Sequence, residues 1–169
     1  MKNIKQKLFA TIDEINERII AIRQDLHAHP ELSGHEEHTK YLVKGILEAS
    51  GYSIKESDKH FGLIADLLVD EKAKTVAIRA DMDALPIQEQ TGKPYASREK
   101  GIMHACGHDS HTAIALGTAI AMAAHKDELP GNIRFIFQPS EESKEGGSVE
   151  MIEDGALEGV SGIFGLHAY

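Results

Sequence analysis

The sequence has one cysteine, fewer basic than acidic residues (18 Lys and Arg against 27 Asp and Glu) and no long apolar run. One cysteine cannot form a disulfide within the chain, so Cys106 is a buried apolar residue, a reactive thiol or a metal ligand. The formal net charge of -9 argues against a nucleic-acid partner, because phosphate binding needs clustered Lys and Arg. No apolar stretch approaches the ~20 residues that span a bilayer, so we expect no membrane partner. The N-terminal residues carry no signal-peptide core, which predicts a cytoplasmic location.

Hydrophobic periodicity predicts both helices and strands. Apolar residues from Ile4 to Leu26 recur every three or four positions, which is the spacing of one helical face. Ser33 and Glu36 have the form of a capping box at the start of a second helix. The patterns predict helices over residues 4–26, 35–50, 110–125 and 147–154 and strands over residues 62–69, 75–80, 132–138 and 162–167. This arrangement indicates an α/β layered domain with a largely parallel sheet.

Polar clusters follow three of the predicted strands. They are RADMDALP (79–86), QPSEE (138–142) and HAY (167–169), while MHACGHDSH (103–111) stands immediately before a predicted helix. Open α/β sheets bind ligands at the carboxyl ends of their strands. We therefore expect the clusters to converge in one crevice.

The MHACGHDSH segment holds five potential metal ligands within eight residues: His104, Cys106, His108, Asp109 and His111. Thiolate and imidazole groups with a carboxylate nearby form the set that Zn²⁺ or a similar transition metal prefers. Metal binding is the interpretation that accounts for the whole cluster. The alternative is a histidine-rich helix start with a buried free cysteine.

Glu141 and Glu142 form a pair of carboxylates that follows a predicted strand and a proline. Two buried, ionised carboxylates raise each other's pKa, and a cation removes this cost. One of the pair can then bind a metal while the other works as general base and later as general acid. A solvated surface pair is the alternative.

Four ordered motifs resemble the metal-dependent peptidases and amidohydrolases that include hippurate hydrolase, bacterial N-acyl-amino-acid amidohydrolases and plant auxin-conjugate hydrolases. The motifs are RADMDALPIQE (79–89), MHACGHDSHTA (103–113), FQPSEE (137–142) with MIEDGAL (151–157), and IFGLHAY (163–169). The segment LHAHPELSGHEEHT (26–39) is similar as well. The resemblance covers almost the whole chain and implies a three-layer α/β/α catalytic domain of the co-catalytic zinc-peptidase type.

The resemblance also implies a centre of two divalent metal ions, which would be Zn²⁺, Mn²⁺ or Co²⁺. Cys106 would bridge both ions, and His108 and His167 would complete one of them. Glu142 would bind the other ion, while Glu141 would stay unligated as the general base. The implied reaction is hydrolysis of the amide bond of an N-acyl amino acid or short peptide, by water shared between the metals.

Two aspartates of the DMDALP turn acquire roles through the same resemblance. Asp83 matches the family's catalytic-site aspartate beside the metals, where it would orient a ligand. Asp81 occupies the place where relatives outside this subgroup carry a metal-binding histidine. The bridging thiolate and His108 would substitute for that ligand.

Members of this family continue past the GLH motif into a lid or dimerisation domain and return with a final metal-binding histidine. The resemblance therefore implies that residues 1–169 are the N-terminal portion of the catalytic domain of a longer, homo-oligomeric enzyme, truncated before its lid domain. One alternative is a metal-binding fragment without turnover. Another is a cysteine hydrolase, with Cys106 as nucleophile and His108 or His167 as base.

Overall fold

The computed structural model describes residues 3–144 and 146–168. Its elements follow the chain in this order: α1 (Ile4–Ala28), α2 (Glu37–Ala49), β1 (Ser53–Glu56), β2 (Leu63–Leu67), β3 (Thr75–Asp81), α3 (His108–Ala124), a 3₁₀-helix (Lys126–Glu128), β4 (Asn132–Gln138), α4 (Ser148–Glu153) and β5 (Val160–Gly165). Every predicted helix and strand is present, with ends shifted by at most two residues. Tyr169, the last residue of the predicted HAY motif, lies outside the described residues.

Strand β1 was not predicted, because its four residues SIKE contain one apolar side chain and are mostly exposed. It pairs with β2 in antiparallel register, with Ser53 opposite Asp66 and Glu56 opposite Leu63. A short, charged strand is typical of the edge of a sheet, where it discourages pairing with other chains. Its position therefore depends on β2 and not on an apolar pattern of its own.

The capping box predicted for Ser33 and Glu36 is wrong. Helix α2 begins at Glu37, and the preceding Glu36 makes no side-chain cap. The first turn is capped by Glu31, whose carboxylate accepts the N–H of His38 at 2.8 Å and that of Thr39 at 2.9 Å. The side chains of Ser33 and Glu36 instead reach residues far along the chain, at the candidate site.

The five strands form one sheet in the order β1-β2-β4-β3-β5. Strands β3, β4 and β5 are parallel neighbours, and β2 pairs antiparallel with both β1 and β4. Four strands thus run in one direction and β2 runs against them. The predicted largely parallel sheet is confirmed, and the carboxyl ends of β3, β4 and β5 lie along one edge.

Helices cover both faces of the sheet, as the predicted three-layer α/β/α arrangement requires. Strand β4 alternates between the two cores: Phe135 and Phe137 pack with the α1–α3 side, while Ile136 packs with Met151 of α4 on the other face. The first core is the larger, and its fully buried residues include Leu26, Leu47, Leu63 and Leu116. This packing fixes α3 against the sheet.

Helix α1 approaches α3 closely at Gly117, where a Cβ would lie 2.5 Å from Cδ1 of Ile19. The small residues of α3 thus allow the two helices to pack closely in one layer on the same face of the sheet. Within residues 3–144 and 146–168, no helix has both the length and the apolar character needed to cross a membrane.

Candidate metal centre

The candidate site lies at the edge of the sheet where β3, β4 and β5 end. Asp81 is the last residue of β3, and His167 follows the end of β5 by two positions. His108 is the first residue of α3. The preceding Gly107 has φ +85°, a left-handed conformation that glycine adopts without a steric cost. This turn brings Cys106 and His108 to the same place.

The structure brings all four predicted ligands together. Donor atoms of Cys106, His108 and Glu142 lie within 4.8 Å of one another, and Sγ of Cys106 is 3.4 Å from Nε2 of His167. A second group shares His108 and comprises Asp81, His108, His111 and His167, again within 4.8 Å. The two overlapping groups place thiol, imidazole and carboxylate donors around one space, and such a mixed set is suited to a transition-metal ion.

His108 supplies the test of whether these residues fit a cation. Its Nε2 atom is buried and has no hydrogen-bond partner among residues 3–144 and 146–168. Carboxylate oxygens of Asp81, Glu141 and Glu142 each lie 3.8 Å from that nitrogen. A buried nitrogen without a partner is costly, and clustered carboxylates repel one another. A cation at this point would relieve both costs, so the residues present fit a metal ion.

Asp83 organises the loop that carries the two glutamates. Its carboxylate accepts the N–H groups of Glu141 at 3.0 Å and Glu142 at 2.9 Å, and the hydroxyl of Ser33 at 2.6 Å. Burial raises the pKa of Asp83, but hydrogen bonds from His108, Ser33 and the two N–H groups outweigh burial and lower it to about 2. Asp83 is therefore an ionised acceptor.

Because ionised Asp83 can only accept, Nδ1 of His108 donates to it, at 3.3 Å. Nε2 of His108 is then the nitrogen available to a metal ion or to a proton. Burial lowers the pKa of His108, but the bond to Asp83 and the charges of Asp81, Asp83 and Glu141 raise it overall. The contact between Asp83 and His108 is the one that an orienting role for Asp83 requires.

The Cys106 thiol lies in an unfavourable place for a free thiolate. Burial, followed by a hydrogen bond with Glu142 and the charges of Glu142, Glu141 and Asp81, raises the pKa of Cys106 to about 11. A nucleophilic cysteine needs the opposite environment, with positive charge nearby. These surroundings argue against the cysteine-hydrolase alternative.

His111 holds the segment that contains His167, a role that the sequence did not reveal. Its Nδ1 donates to Asp81 at 2.6 Å, and its Nε2 accepts the N–H of Ala168 at 2.8 Å. Asp81 in turn accepts from Arg79 at 2.5 Å. The spacing of His108 and His111, three residues apart on one helix, was the available signal that both side chains face one side.

Two members of the MHACGHDSH cluster lie outside both donor groups. Asp109 is buried and pairs with His27 at 2.7 Å and with Arg23 at 2.8 Å, which ties α3 to α1. His104 is buried beside His27, and neither of its ring nitrogens has a hydrogen-bond partner in the part of the chain that the structure describes. Burial is the main reason that the pKa of His104 falls to about 4. His104 is therefore a neutral imidazole.

Ser33 and Glu36 were also missed, since their spacing has the form of a local cap. Ser33 donates to Asp83, as described above. Glu36 is fully buried and accepts the N–H of Ser140 at 2.7 Å. Ser140 has φ +55° and directly precedes Glu141, so the backbone conformation before the glutamate pair depends on this contact.

An α/β/α layered fold with thiol, imidazole and carboxylate donors at the carboxyl ends of its strands defines the class of α/β proteins with a candidate metal site at the sheet edge. The model of peptidase family M20/M25/M40 matches residues 77–169, more than half of the chain. The chain belongs to this family, which confirms the resemblance of the four motifs. The predicted fold class is confirmed by the same finding.

Similar proteins agree with this assignment. The chain is 45% identical over 156 residues to an N-acetyl-L-cysteine deacetylase of Bacillus subtilis, covering 92% of this chain and 37% of that protein. It is 43% identical to an N-acyl-L-amino acid amidohydrolase of Geobacillus stearothermophilus, covering 98% and 45%. The crystal structure of a dinuclear metal-binding M20 peptidase of Bacillus subtilis matches with a TM-score of 0.86 and 46% identity, covering 93% and 44%. The chain thus spans less than half the length of these relatives.

Proposed function

We propose that this chain forms the metal-binding part of an enzyme that hydrolyses the amide bond of N-acyl amino acids. The observation that carries the proposal is the convergence of Cys106, Glu142 and His167 around Nε2 of His108, a buried atom that has no hydrogen-bond partner among the described residues. Support comes from relatives whose names are amidohydrolase, deacetylase and carboxypeptidase. The substrate is an N-acyl amino acid or a short peptide.

Two divalent ions would be held by Cys106, His108, Glu142 and His167, with Cys106 shared between them. Zn²⁺, Mn²⁺ and Co²⁺ suit this donor set, and the thiolate favours Zn²⁺ or Co²⁺ over Mg²⁺ or Ca²⁺. When bound, such ions lower the pKa of water and polarise the scissile carbonyl. The acidic side chains around His108 supply the negative charge that offsets two cations.

Glu141 would carry a proton from the attacking water to the leaving nitrogen. Its Oε2 lies 3.8 Å from Nε2 of His108, and its side chain is 36% exposed, so the carboxylate faces both the donor groups and the open side of the site. The carboxylate takes a proton from the attacking water as the C–O bond forms. It then gives that proton to the leaving nitrogen as the C–N bond breaks, which yields a carboxylate and an amine.

Asp83 and Glu36 would position this base without contacting substrate. Asp83 holds the N–H groups of Glu141 and Glu142, and Glu36 holds the N–H of Ser140. These bonds fix the backbone of three successive residues. A base that is already oriented needs little reorganisation during the reaction.

Further expectations remain part of the proposal. Residues 1–169 act as the N-terminal portion of a catalytic domain in a longer enzyme. That enzyme is homo-oligomeric, acts in the cytoplasm and has neither nucleic acid nor membrane as a partner. The chain alone holds its ions less tightly and turns over more slowly than the longer enzyme.

The test measures metal content and hydrolysis on the longest form of the protein that its coding frame supplies. Metal-free protein is loaded with Zn²⁺, Mn²⁺ or Co²⁺ and assayed on N-acetyl amino acids, including N-acetylcysteine. We expect a chelator to abolish hydrolysis and added metal to restore it. Glu150→Gln, which changes an exposed carboxylate of α4, is the matched control for Glu141→Gln and Glu142→Gln.

Two results would overturn the proposal. Metal binding without hydrolysis of any N-acyl amino acid or dipeptide would favour a binding module. Hydrolysis that survives the chelator but is abolished by alkylation of Cys106 would favour the cysteine hydrolase.

A further inference from the structure

A second group of potential metal ligands lies away from the candidate centre, where α1 ends and α2 begins. Its members are Asp25, His29 and His38, named here the α1–α2 cluster, and their donor atoms lie within 4.8 Å of one another. Nδ1 of His29 is 3.3 Å from Oδ1 of Asp25, and Nε2 of His38 is 3.2 Å from Oδ2 of Asp25. Two imidazoles therefore converge on one carboxylate.

These separations match the spacing of donors around a small cation. Zn²⁺ binds imidazole nitrogen at about 2.0–2.1 Å and carboxylate oxygen at about 2.0–2.2 Å, so a tetrahedral arrangement separates its donors by roughly 3.3 Å. The two nitrogen-to-oxygen distances of the α1–α2 cluster are 3.3 Å and 3.2 Å. The two distances end on different oxygens of Asp25, and the donor atoms lie within 4.8 Å of one another, so the side chains must rotate to bring one oxygen and both nitrogens to a single ion.

The backbone holds the three residues in place. Asp25 and His29 are four residues apart at the end of α1, a spacing that puts both side chains on one face. His38 is fixed from α2, because its N–H donates to Glu31 at 2.8 Å. The end of α1 also carries the negative end of the helix dipole, which favours a cation.

The existing contacts of these residues compete with an ion. Nδ1 of His29 contacts the carbonyl oxygen of Asp25 at 3.0 Å, and Nε2 of His29 contacts Arg98 at 3.3 Å. The Arg98 side chain is exposed, so its guanidinium can move into solvent. The three side chains are 34–45% exposed, which predicts a weaker site than a buried one.

A cavity of about 450 Å³ adjoins the α1–α2 cluster. His29 and His38 line it together with His35, and Glu99 lies on its wall. Three protein ligands would leave one tetrahedral position open. The cavity gives that position room for a water molecule or a fourth side chain.

We propose that Asp25, His29 and His38 bind one transition-metal ion of the Zn²⁺ type, separately from the candidate centre. Such an ion would join the end of α1 to the start of α2 across residues 30–36. That segment carries Ser33 and Glu36, whose side chains bond to Asp83 and Ser140. The ion would therefore hold in place the segment that supports the glutamate loop.

The test counts ions bound to the intact chain by equilibrium dialysis against Zn²⁺ and elemental analysis. The variants are His38→Asn and Asp25→Asn, both at partly exposed positions where the fold should survive. His125→Asn is the matched control, since His125 contacts Thr11 at the other end of the helical layer. We expect each test variant to bind one ion fewer than wild type, or to bind that ion about 10-fold or more weakly, and the control to equal wild type.

The same measurement in a Cys106→Ser background separates this site from the candidate centre. If the proposal holds, the ion lost on His38→Asn is lost in that background too, whatever happens to the other ions. Zn²⁺ should also raise the Tm of Cys106→Ser but raise it less once His38 is replaced. Equal ion counts in wild type, His38→Asn and Asp25→Asn would overturn the proposal, as would a Cys106→Ser chain that binds no ion.

Discussion

Replacing Glu36 by glutamine or by alanine separates the charge of this buried side chain from its hydrogen bond. Glu36 is fully buried, and its Oε1 accepts the N–H of Ser140 at 2.7 Å. Its Oε2 has no hydrogen-bond partner among the described residues. Burial is the largest influence on the pKa of Glu36 and raises it, with a smaller contribution from the charge of Asp83, against the lowering effect of backbone N–H groups.

The raised pKa gives a definite sign to the pH dependence of stability. Between the ordinary value of 4.5 and the higher folded value, the folded state binds more protons than the unfolded state. The free energy of unfolding therefore contains a contribution from Glu36 that is fully present below pH 4.5 and is lost as pH rises through the folded pKa. Glu36→Gln removes this contribution, because the amide keeps an acceptor for Ser140 but does not titrate in this range.

Glu36→Ala removes the acceptor as well as the charge. The partly buried N–H of Ser140 then loses its partner on the fully buried Glu36, which costs about 1–3 kcal/mol. Loss of one buried methylene group, Cγ, costs about 0.8 kcal/mol. We expect Glu36→Ala to be destabilised by about 2–4 kcal/mol relative to Glu36→Gln. Ser140 also holds a left-handed φ, so the loop should relax and weaken metal binding by Glu142.

Urea unfolding followed by circular dichroism, from about pH 4.5 to pH 8, measures both effects. Glu37→Gln is the control, because Glu37 is the adjacent, exposed carboxylate. Relative to wild type, the stability of Glu36→Gln should rise with pH and that of the control should not. The reasoning fails if Glu36→Gln retains the pH slope of wild type, or if Glu36→Ala is as stable as Glu36→Gln.

Substitutions at the candidate metal centre should separate its base from its ligands. Glu141→Gln should retain wild-type metal content and lose at least about 100-fold in turnover, because it removes a base and not a ligand; loss of an ion on elemental analysis would contradict that role. In a metal titration, Cys106→Ser should lower the affinity for both ions, whereas His167→Ala should lower the affinity for one of them. Equal, independent losses of affinity in the two variants would exclude a bridging thiolate. Gly107→Ala should lower the free energy of unfolding by about 1–2 kcal/mol in urea, because φ of Gly107 is +85° and the added Cβ would lie 3.3 Å from the Cβ of Ala168. An unchanged urea midpoint of unfolding would contradict the strain argument.

Local pattern in the sequence was sufficient for most of the secondary structure, and the resemblance of its motifs to a known family supplied the predicted ligands. The spacing of apolar residues located α1 and α2, because a buried helical face imposes a period on the chain itself. Helix α3 was located by its content of Ala, Leu and Met, α4 by the glycine that ends it, and four of the five described strands by short apolar segments. Strand β1 had no such segment, so only its pairing with β2 defines it. The short ACGHD segment also showed that Cys106 and His108 are residue types that could bind a metal ion.

Only the tertiary structure decided which polar side chains act together. Ser33 and Glu36 fit a local capping box, yet their partners Asp83 and Ser140 stand 50 and 104 residues away. Likewise, residue type alone does not distinguish the histidines of MHACGHDSH from one another. In the structure, His111 contacts Asp81, while His104 is buried beside His27. A hydrogen bond depends on distance and direction in space, whereas periodicity reports only which face of an element is buried. The residue types that could bind a metal ion were therefore visible in the local sequence. The packing of distant elements determined which other side chains hold those residues in place.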